Sequence, residues 1–184
     1  MLRLFFAVQP GAAQQEILVE RVAPLVTRLE AQRIAAENLH ATLCFIGAVP
    51  EEKLALLELA ASGVRAGLAT LCFDALEYWV KPQVLCATVS DDSLSVPLRD
   101  LAEKLGVAAR EAGFAPDIKP FRAHLTLARK VRAAQAAQCE WPMALAPQMS
   151  VHCDRFVLMR SDRSASGSTY SVVRSWPLYE NAAR

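Results

Sequence analysis

The sequence has no long hydrophobic run and almost no imbalance of charge. No apolar segment approaches the roughly 18 residues that a membrane-spanning helix needs. Lys and Arg together number 20, Asp and Glu number 19, and the net charge is +1. This balance argues against a protein that coats nucleic acid through bulk charge, although a local basic patch is compatible with a neutral total.

Disulfide and metal signatures are also missing. The chain has five cysteines, an odd number, and no Cys-x-x-Cys pair, so we expect reduced cysteines and a cytoplasmic location. The N-terminal segment MLRLFFAVQPG lacks the length and the cleavage site of a signal peptide and favours a β-strand. His152 and Cys153 would face opposite sides of a strand, and we expect no metal or other cofactor.

The chain is 184 residues long and 53% hydrophobic, enough for one domain with a sizeable core. Its apolar pattern predicts α+β structure, with helices near residues 11–31, 50–67 and 93–113. Pro24 is expected to kink or split the first helix. Strands are predicted at 2–9, 38–47, 71–80, 83–90, 120–131, 149–161 and 168–179, with a polar turn DRSASG joining the last two.

One phrase occurs twice. HATLCFIG begins at His40 and HLTLARKV begins at His124, and these are two of only three histidines in the chain. Side chains alternate along a strand, so His40 should share a face with Thr42, and His124 with Thr126. Two such phrases, each followed by Leu, are an improbable coincidence, whereas a single one would be a weak signal.

Two facing imidazoles suit displacement at phosphorus. An unperturbed imidazole titrates near pH 6.5, so one can act as a general base and the other as a general acid. The two threonine hydroxyls could donate to phosphate oxygens held between the histidines. This chemistry requires two halves of the chain to pack face to face across a groove.

Basic residues surround the second phrase. Five cations lie between Lys119 and Arg132, and no Asp or Glu occurs between Ile118 and Gln138. Arg122 lies two residues before His124 and should share its face, which favours phosphate binding. Arg129 would point away in a regular strand, unless a bulge or the strand end turns it inward.

Other residues leave alternatives open. Trp79 could line the groove and stack on a base, or simply pack. Phe45 has the same two interpretations. Simple alternation places Cys44 on the His40 face, where it would be a small filler.

The repeated phrase and its neighbours resemble the 2H phosphoesterase superfamily and, more closely, the RNA 2′,3′-cyclic phosphodiesterase (LigT-like) family. The matching segments are RLFFAVQP, LHATLCFIG, FRAHLTLAR and FVLMRSDRSASGSTYSVVRSWPL, which extend over nearly the whole chain. The resemblance implies one bilobal domain over residues 1–184, with two antiparallel sheets in pseudo-two-fold symmetry, helices on the outer faces and a catalytic groove between the sheets.

The resemblance also implies an activity and its residues. It implies metal-independent hydrolysis of an RNA 2′,3′-cyclic phosphate terminus to a 2′-phosphate, with possible reversal as 2′–5′ ligation. His40 would be the proton donor and His124 the acceptor, while Arg129 matches an arginine expected to bind the phosphate. The family usually has Pro before the second histidine, where this chain has Ala123. That change removes no reactive group.

Two other functions remain open at this point. The same centre could act on a small cyclic nucleotide or an ADP-ribose cyclic phosphate. Alternatively, the chain could be a non-catalytic module that binds RNA ends. The short polar turns and alternating strands favour a monomer and give no indication of a membrane partner.

Overall fold

The computed structural model describes residues 1–117, 119–164 and 167–180. Within them, two antiparallel sheets and four α-helices confirm the α+β prediction. None of the helices in the described ranges is long and apolar enough to cross a membrane.

The first sheet has four strands in the order β3-β1-β8-β9. It therefore joins two strands from the start of the chain to the C-terminal hairpin. The strands are β1 Leu2–Val8, β3 Ala41–Val49, β8 Arg155–Ser164 and β9 Gly167–Pro177.

The second sheet has five strands in the order β2-β6-β5-β4-β7. The strand after His124 lies inside this sheet, and β2 and β7 form its edges. The strands are β2 Gln32–Arg33, β4 Ala69–Trp79, β5 Val84–Thr88, β6 His124–Arg129 and β7 Met143–Cys153.

One predicted strand proves to be two. The apolar pattern favoured a single strand over 149–161, but β7 ends at Cys153, β8 begins at Arg155, and the two belong to different sheets. The apolar pattern does not mark the break, because β7 buries alternate residues and β8 follows at once with residues 156–159, which are buried on both faces of the first sheet. The polar turn predicted at DRSASG is shorter than expected, since β8 continues to Ser164, and residues 165 and 166 lie outside the described ranges.

The described ranges contain four α-helices. They are α1 Ala12–Arg28, α2 Leu54–Ser62, α3 Val96–Glu111 and α4 Ala133–Ala136. Helix α1 contacts β2 and β6, while α3 packs against β3. Pro24 does not split the helix: α1 continues through it, and the proline ring lies on the solvent side, while a kink at this position stays a prediction. A proline there removes one helix hydrogen bond without disturbing the buried face.

Two apolar clusters stabilise this arrangement. The larger fills the space under the helices and includes fully buried Phe6, Phe73 and Phe156. The smaller lies on the opposite face of the first sheet and comprises Phe5, Ala7, Val157 and Met159, with Phe45 and Tyr170 packed against them. We call the face of the first sheet that carries this smaller cluster its groove face.

Candidate active site

The two repeated phrases have the same pattern of burial and lie next to each other in the structure. In 40–45 and in 124–129, the first, third and sixth residues are half-buried, and the other three are buried. His40 lies directly before β3, whereas His124 is the first residue of β6. Strands β3 and β6 contact each other although they belong to different sheets. The predicted meeting of the two segments is therefore confirmed.

A β-bulge in each segment explains the pattern. Phe6 pairs with Cys44 and Ala7 with Thr42, which leaves Leu43 without an opposite residue. In the other sheet, Cys86 pairs with Thr126 and Leu85 with Ala128, which leaves Leu127 unopposed. An extra residue shifts the alternation by one position. Both bulges occur at the Leu of His-x-Thr-Leu. The two segments therefore share the bulge as well as the sequence pattern.

The bulges decide which later side chains face the groove. Phe45, five residues after His40, packs with Phe5 on the groove face, and Arg129, five residues after His124, also turns inward. The prediction that Cys44 shares the His40 face is wrong. Cys44 is 5% exposed and lies on the α3 side, where burial raises the pKa of its thiol to about 11.

Both imidazoles are anchored in the same way. His40 Nδ1 lies 2.7 Å from the carbonyl oxygen of Asn38, and His124 Nδ1 lies 2.8 Å from that of Arg122. Each carbonyl belongs to the residue two positions before the histidine. In the neutral tautomer that donates from Nδ1, the Nε2 atom is left as the acceptor. The chain therefore provides two equivalent Nε2 atoms for acid–base chemistry.

Burial makes both imidazoles hard to protonate. The pKa of His40 falls from 6.5 to about 4, mainly through desolvation; the charges of His124 and Arg129 contribute to the fall, and the bond to Asn38 opposes it. Desolvation also lowers the pKa of His124, and Glu77 partly opposes that shift. A bound anion beside either ring would raise its pKa again.

An aromatic ring supports each imidazole. The rings of Phe5 and His40 have centroids 4.8 Å apart, and those of Trp79 and His124 have centroids 4.6 Å apart. These contacts limit rotation of the imidazoles. Trp79 was predicted as a substrate contact; the structure places it directly against a histidine ring, and contact with substrate stays a prediction.

Arg129 connects the two sheets. Its Nη2 donates a 2.6 Å hydrogen bond to the hydroxyl oxygen of Tyr170 on β9. The Tyr170 ring also contacts the His40 ring, with centroids 4.8 Å apart. The Nε–H of Arg129 is buried and has no acceptor among the described residues. A buried donor without a partner costs roughly 1–3 kcal/mol, which an anion at this position would recover.

Arg122 is already paired. Its guanidinium donates to both carboxylate oxygens of Glu77, at 2.8 and 2.7 Å, and lies 4.9 Å from the centroid of the Trp79 ring. Glu77 also accepts hydrogen bonds from Trp79 Nε1 and from Thr88. The predicted role of Arg122 in phosphate binding stays a prediction, and its charge is largely balanced by Glu77.

The two threonines lie where the repeat predicted them. Thr42 and Thr126 are half-buried, on the same side as their histidines. Thr126 lies close enough to the Cys86 thiol for a hydrogen bond, and burial raises the pKa of that thiol to about 12. Within residues 1–117, 119–164 and 167–180, no three His, Cys, Asp or Glu side chains are grouped to hold a metal ion.

Sequence reasoning did not identify several contacts of this site. Tyr170 and Phe5 each touch a motif residue, and Glu77 binds Arg122 beside the second motif, but all three lie far from both motifs in the chain. Asn38 was overlooked because its contribution is a backbone carbonyl, which carries no residue-type signal. Its side chain also accepts a hydrogen bond from the Tyr170 amide.

Two His-x-Thr motifs facing one groove between antiparallel sheets define the 2H phosphoesterase class of protein. A family model described as the 2′-5′ RNA ligase superfamily matches residues 10–165. The chain belongs to this superfamily.

Named relatives extend over most of the chain. An RNA 2′,3′-cyclic phosphodiesterase of Escherichia coli strain K12 is 29% identical over 176 residues, 96% of each chain. One of Archaeoglobus fulgidus is 32% identical over 138 residues, 71% of this chain and 74% of its own. The crystal structure of E. coli LigT complexed with 3′-AMP has a TM-score of 0.83 and 28% identity, and the match covers 96% of this chain and 98% of LigT.

Proposed function

We propose that the protein hydrolyses RNA 2′,3′-cyclic phosphate termini to 2′-phosphates by acid–base catalysis with His40 and His124. The observation that carries this proposal is the pair of matched segments, each of which presents one imidazole Nε2 and one threonine hydroxyl to the same groove. The names of the relatives in E. coli and A. fulgidus support the choice of substrate.

The reaction needs one proton taken up and one delivered. The basic imidazole removes a proton from water, whose oxygen attacks phosphorus, and the acidic imidazole protonates the departing 3′ oxygen. Thr42, Thr126 and the buried Nε–H of Arg129 would donate to the non-bridging oxygens. The two imidazoles supply both proton transfers, so the step needs no metal.

The division of roles follows the resemblance: His40 is the donor and His124 the acceptor. Because the pKa of His40 is about 4 in the unliganded protein, His40 must gain its proton in the presence of the substrate anion. One observation favours the reverse division. Glu77 raises the pKa of His124 against the lowering effect of Arg122, whereas the charged neighbours of His40, which are His124 and Arg129, only lower its pKa.

A sulfur substitution separates the two assignments. In a substrate whose 3′ oxygen is replaced by sulfur, the leaving thiolate needs little help from an acid. We expect His40→Ala to recover much of its activity on this substrate and His124→Ala to recover none. Recovery by His124→Ala instead would reverse the roles.

The activity itself is tested on a short RNA with a 2′,3′-cyclic phosphate end, in the presence of a chelator. We expect a 2′-phosphate product by phosphorus NMR, and a loss of roughly 10²–10⁴-fold in kcat/KM for each histidine variant. His152→Ala is the matched control, since this third histidine lies on edge strand β7 and hydrogen-bonds Thr70 at 3.1 Å. Tight RNA binding without turnover would instead identify a binding module.

A further inference from the structure

The carboxylate of Glu77 binds three side chains that surround the His124 ring. Its Oε2 atom accepts a 2.9 Å hydrogen bond from the indole Nε1 of Trp79, and its Oε1 atom accepts a 3.0 Å bond from the hydroxyl of Thr88. The guanidinium of Arg122 donates to both oxygens, at 2.8 and 2.7 Å. A single half-buried carboxylate on β4 therefore joins β5 and the segment before β6.

Each partner of Glu77 constrains His124 from a different direction. The Trp79 ring lies against the imidazole, with centroids 4.6 Å apart. The backbone carbonyl of Arg122 lies 2.8 Å from Nδ1 of the imidazole. Thr88 is the residue opposite His124 where β5 pairs with β6. The three partners thus border the face of the ring, its anchored nitrogen and its backbone.

The segment that supplies the anchoring carbonyl lies outside regular structure. Residues 119–123 belong to no helix or strand. Ala123 leaves the backbone φ angle free at a position where proline would fix it. A two-point bond between a guanidinium and a carboxylate sets direction as well as distance. The bond from Arg122 to Glu77 therefore limits the movement of the residue whose carbonyl holds His124.

The support of His40 is different. Its ring contacts the rings of Phe5 and Tyr170, each with centroids 4.8 Å apart. Among the described residues, the charged groups that act on His40 are His124 and Arg129, both of them basic. The carboxylate therefore distinguishes two histidines that the repeated phrase otherwise makes alike.

We propose that Glu77 is a positioning residue for His124. It holds Trp79 and Arg122 so that the imidazole keeps Nδ1 on the Arg122 carbonyl and directs Nε2 into the groove. In this assignment Arg122 acts through its own carbonyl and its bond to Glu77. The inference rests on the proposed function and adds a residue that the reaction needs without touching the reacting atoms.

The kinetic test compares Glu77→Ala with the wild-type protein on cytidine 2′,3′-cyclic phosphate. Because misplacement of a reacting group acts on the transition state, kcat should fall by about 10- to 100-fold while KM stays near that of the wild type. Glu58→Ala is the matched control. Glu58 of α2 binds Arg174 at 2.6 Å, and the Arg174 guanidinium lies 5.9 Å from the centroid of the Trp176 ring, so the same three residue types meet beside a different helix. This control should keep the wild-type kcat.

A second measurement does not depend on turnover. The chain has only three histidines, so the nitrogen NMR signals of their rings can be assigned with single His→Ala variants. At a pH where the rings are neutral, His124 of the wild-type protein should show one tautomer, with the proton on Nδ1. Glu77→Ala should show a mixture of both tautomers, whereas Glu58→Ala should not.

Glu77→Gln keeps the size of the side chain and one acceptor oxygen, so its kcat should lie between those of Glu77→Ala and the wild-type protein. An unchanged kcat in Glu77→Ala, an equal loss in Glu58→Ala, or an unchanged His124 tautomer would each overturn this inference. Failure of the proposed function looks different, because the wild-type protein would then turn over no cyclic phosphate while the His124 tautomer still depended on Glu77.

Discussion

The burial of the two motif imidazoles determines the pH at which the free protein should be most reactive, if the proposed catalysis by His40 and His124 holds. Burial lowers the pKa of His40 to about 4, and it lowers that of His124 below the usual 6.5. At pH 7, only about one His40 ring in a thousand would carry a proton. Because the two sites interact, the observed values belong to the pair.

The direction of the pH dependence follows from the need for one neutral and one protonated ring. At a pH below the pKa values of both rings, both are protonated and no base remains. At a pH above both pKa values, which burial holds below the usual 6.5, both rings are neutral and no acid remains. We therefore expect a bell-shaped profile of kcat/KM with its maximum below about pH 6.5, and a loss of at least about 30-fold by pH 8.

The assay measures kcat and kcat/KM on a cyclic mononucleotide from pH 4 to 9 at constant ionic strength. The maximum of kcat should lie at higher pH than that of kcat/KM, since the bound phosphate anion raises the pKa of both rings. A kcat/KM profile that is flat, or that peaks above pH 7, would refute the argument that burial controls these imidazoles.

Three further predictions concern single substitutions. Tyr170→Phe removes the acceptor of the Arg129 hydrogen bond and should lower kcat/KM about tenfold with little change in Tm; an unchanged kcat/KM would contradict a role in positioning Arg129. Glu77→Gln removes a charge that raises the pKa of His124, so the alkaline limb of the profile should move to lower pH, and a shift upward would be inconsistent. Leu71→Ala, at a fully buried core position, should reduce the free energy of unfolding by about 2–5 kcal/mol in urea titrations. The kcat/KM of this variant at 20 °C should stay near that of the wild type. A large loss of activity would instead show that this core position supports the site.

The fold class and the pairing of each motif histidine with its threonine could be predicted from the sequence. Residues i and i+2 of a strand share a face, so His40 with Thr42, and His124 with Thr126, could be paired from their spacing alone. The helix near residues 93–113 was also readable from the sequence, and α3 buries Leu98, Leu101 and Leu105 at helical spacing. These features depend on neighbours within one segment of the chain.

Only the tertiary structure decided which other side chains complete the groove. The bulges at Leu43 and Leu127 arise from register with the neighbouring strands, and they turn Phe45 and Arg129 inward. For the same reason, Cys44 faces α3 instead of the groove and is buried there. No local pattern encodes such a register, because it depends on partners tens of residues away.

Long-range pairing also set the charges of the site. Arg122 lies in a segment without acidic residues, yet its guanidinium is bound by Glu77, 45 residues earlier in the chain. Arg3 lies in an unremarkable strand and has no such partner among the described residues. The net charge of a sequence segment counts only residues that are adjacent in the chain. The electrostatic field in the groove also depends on residues that are distant in the chain and close in space.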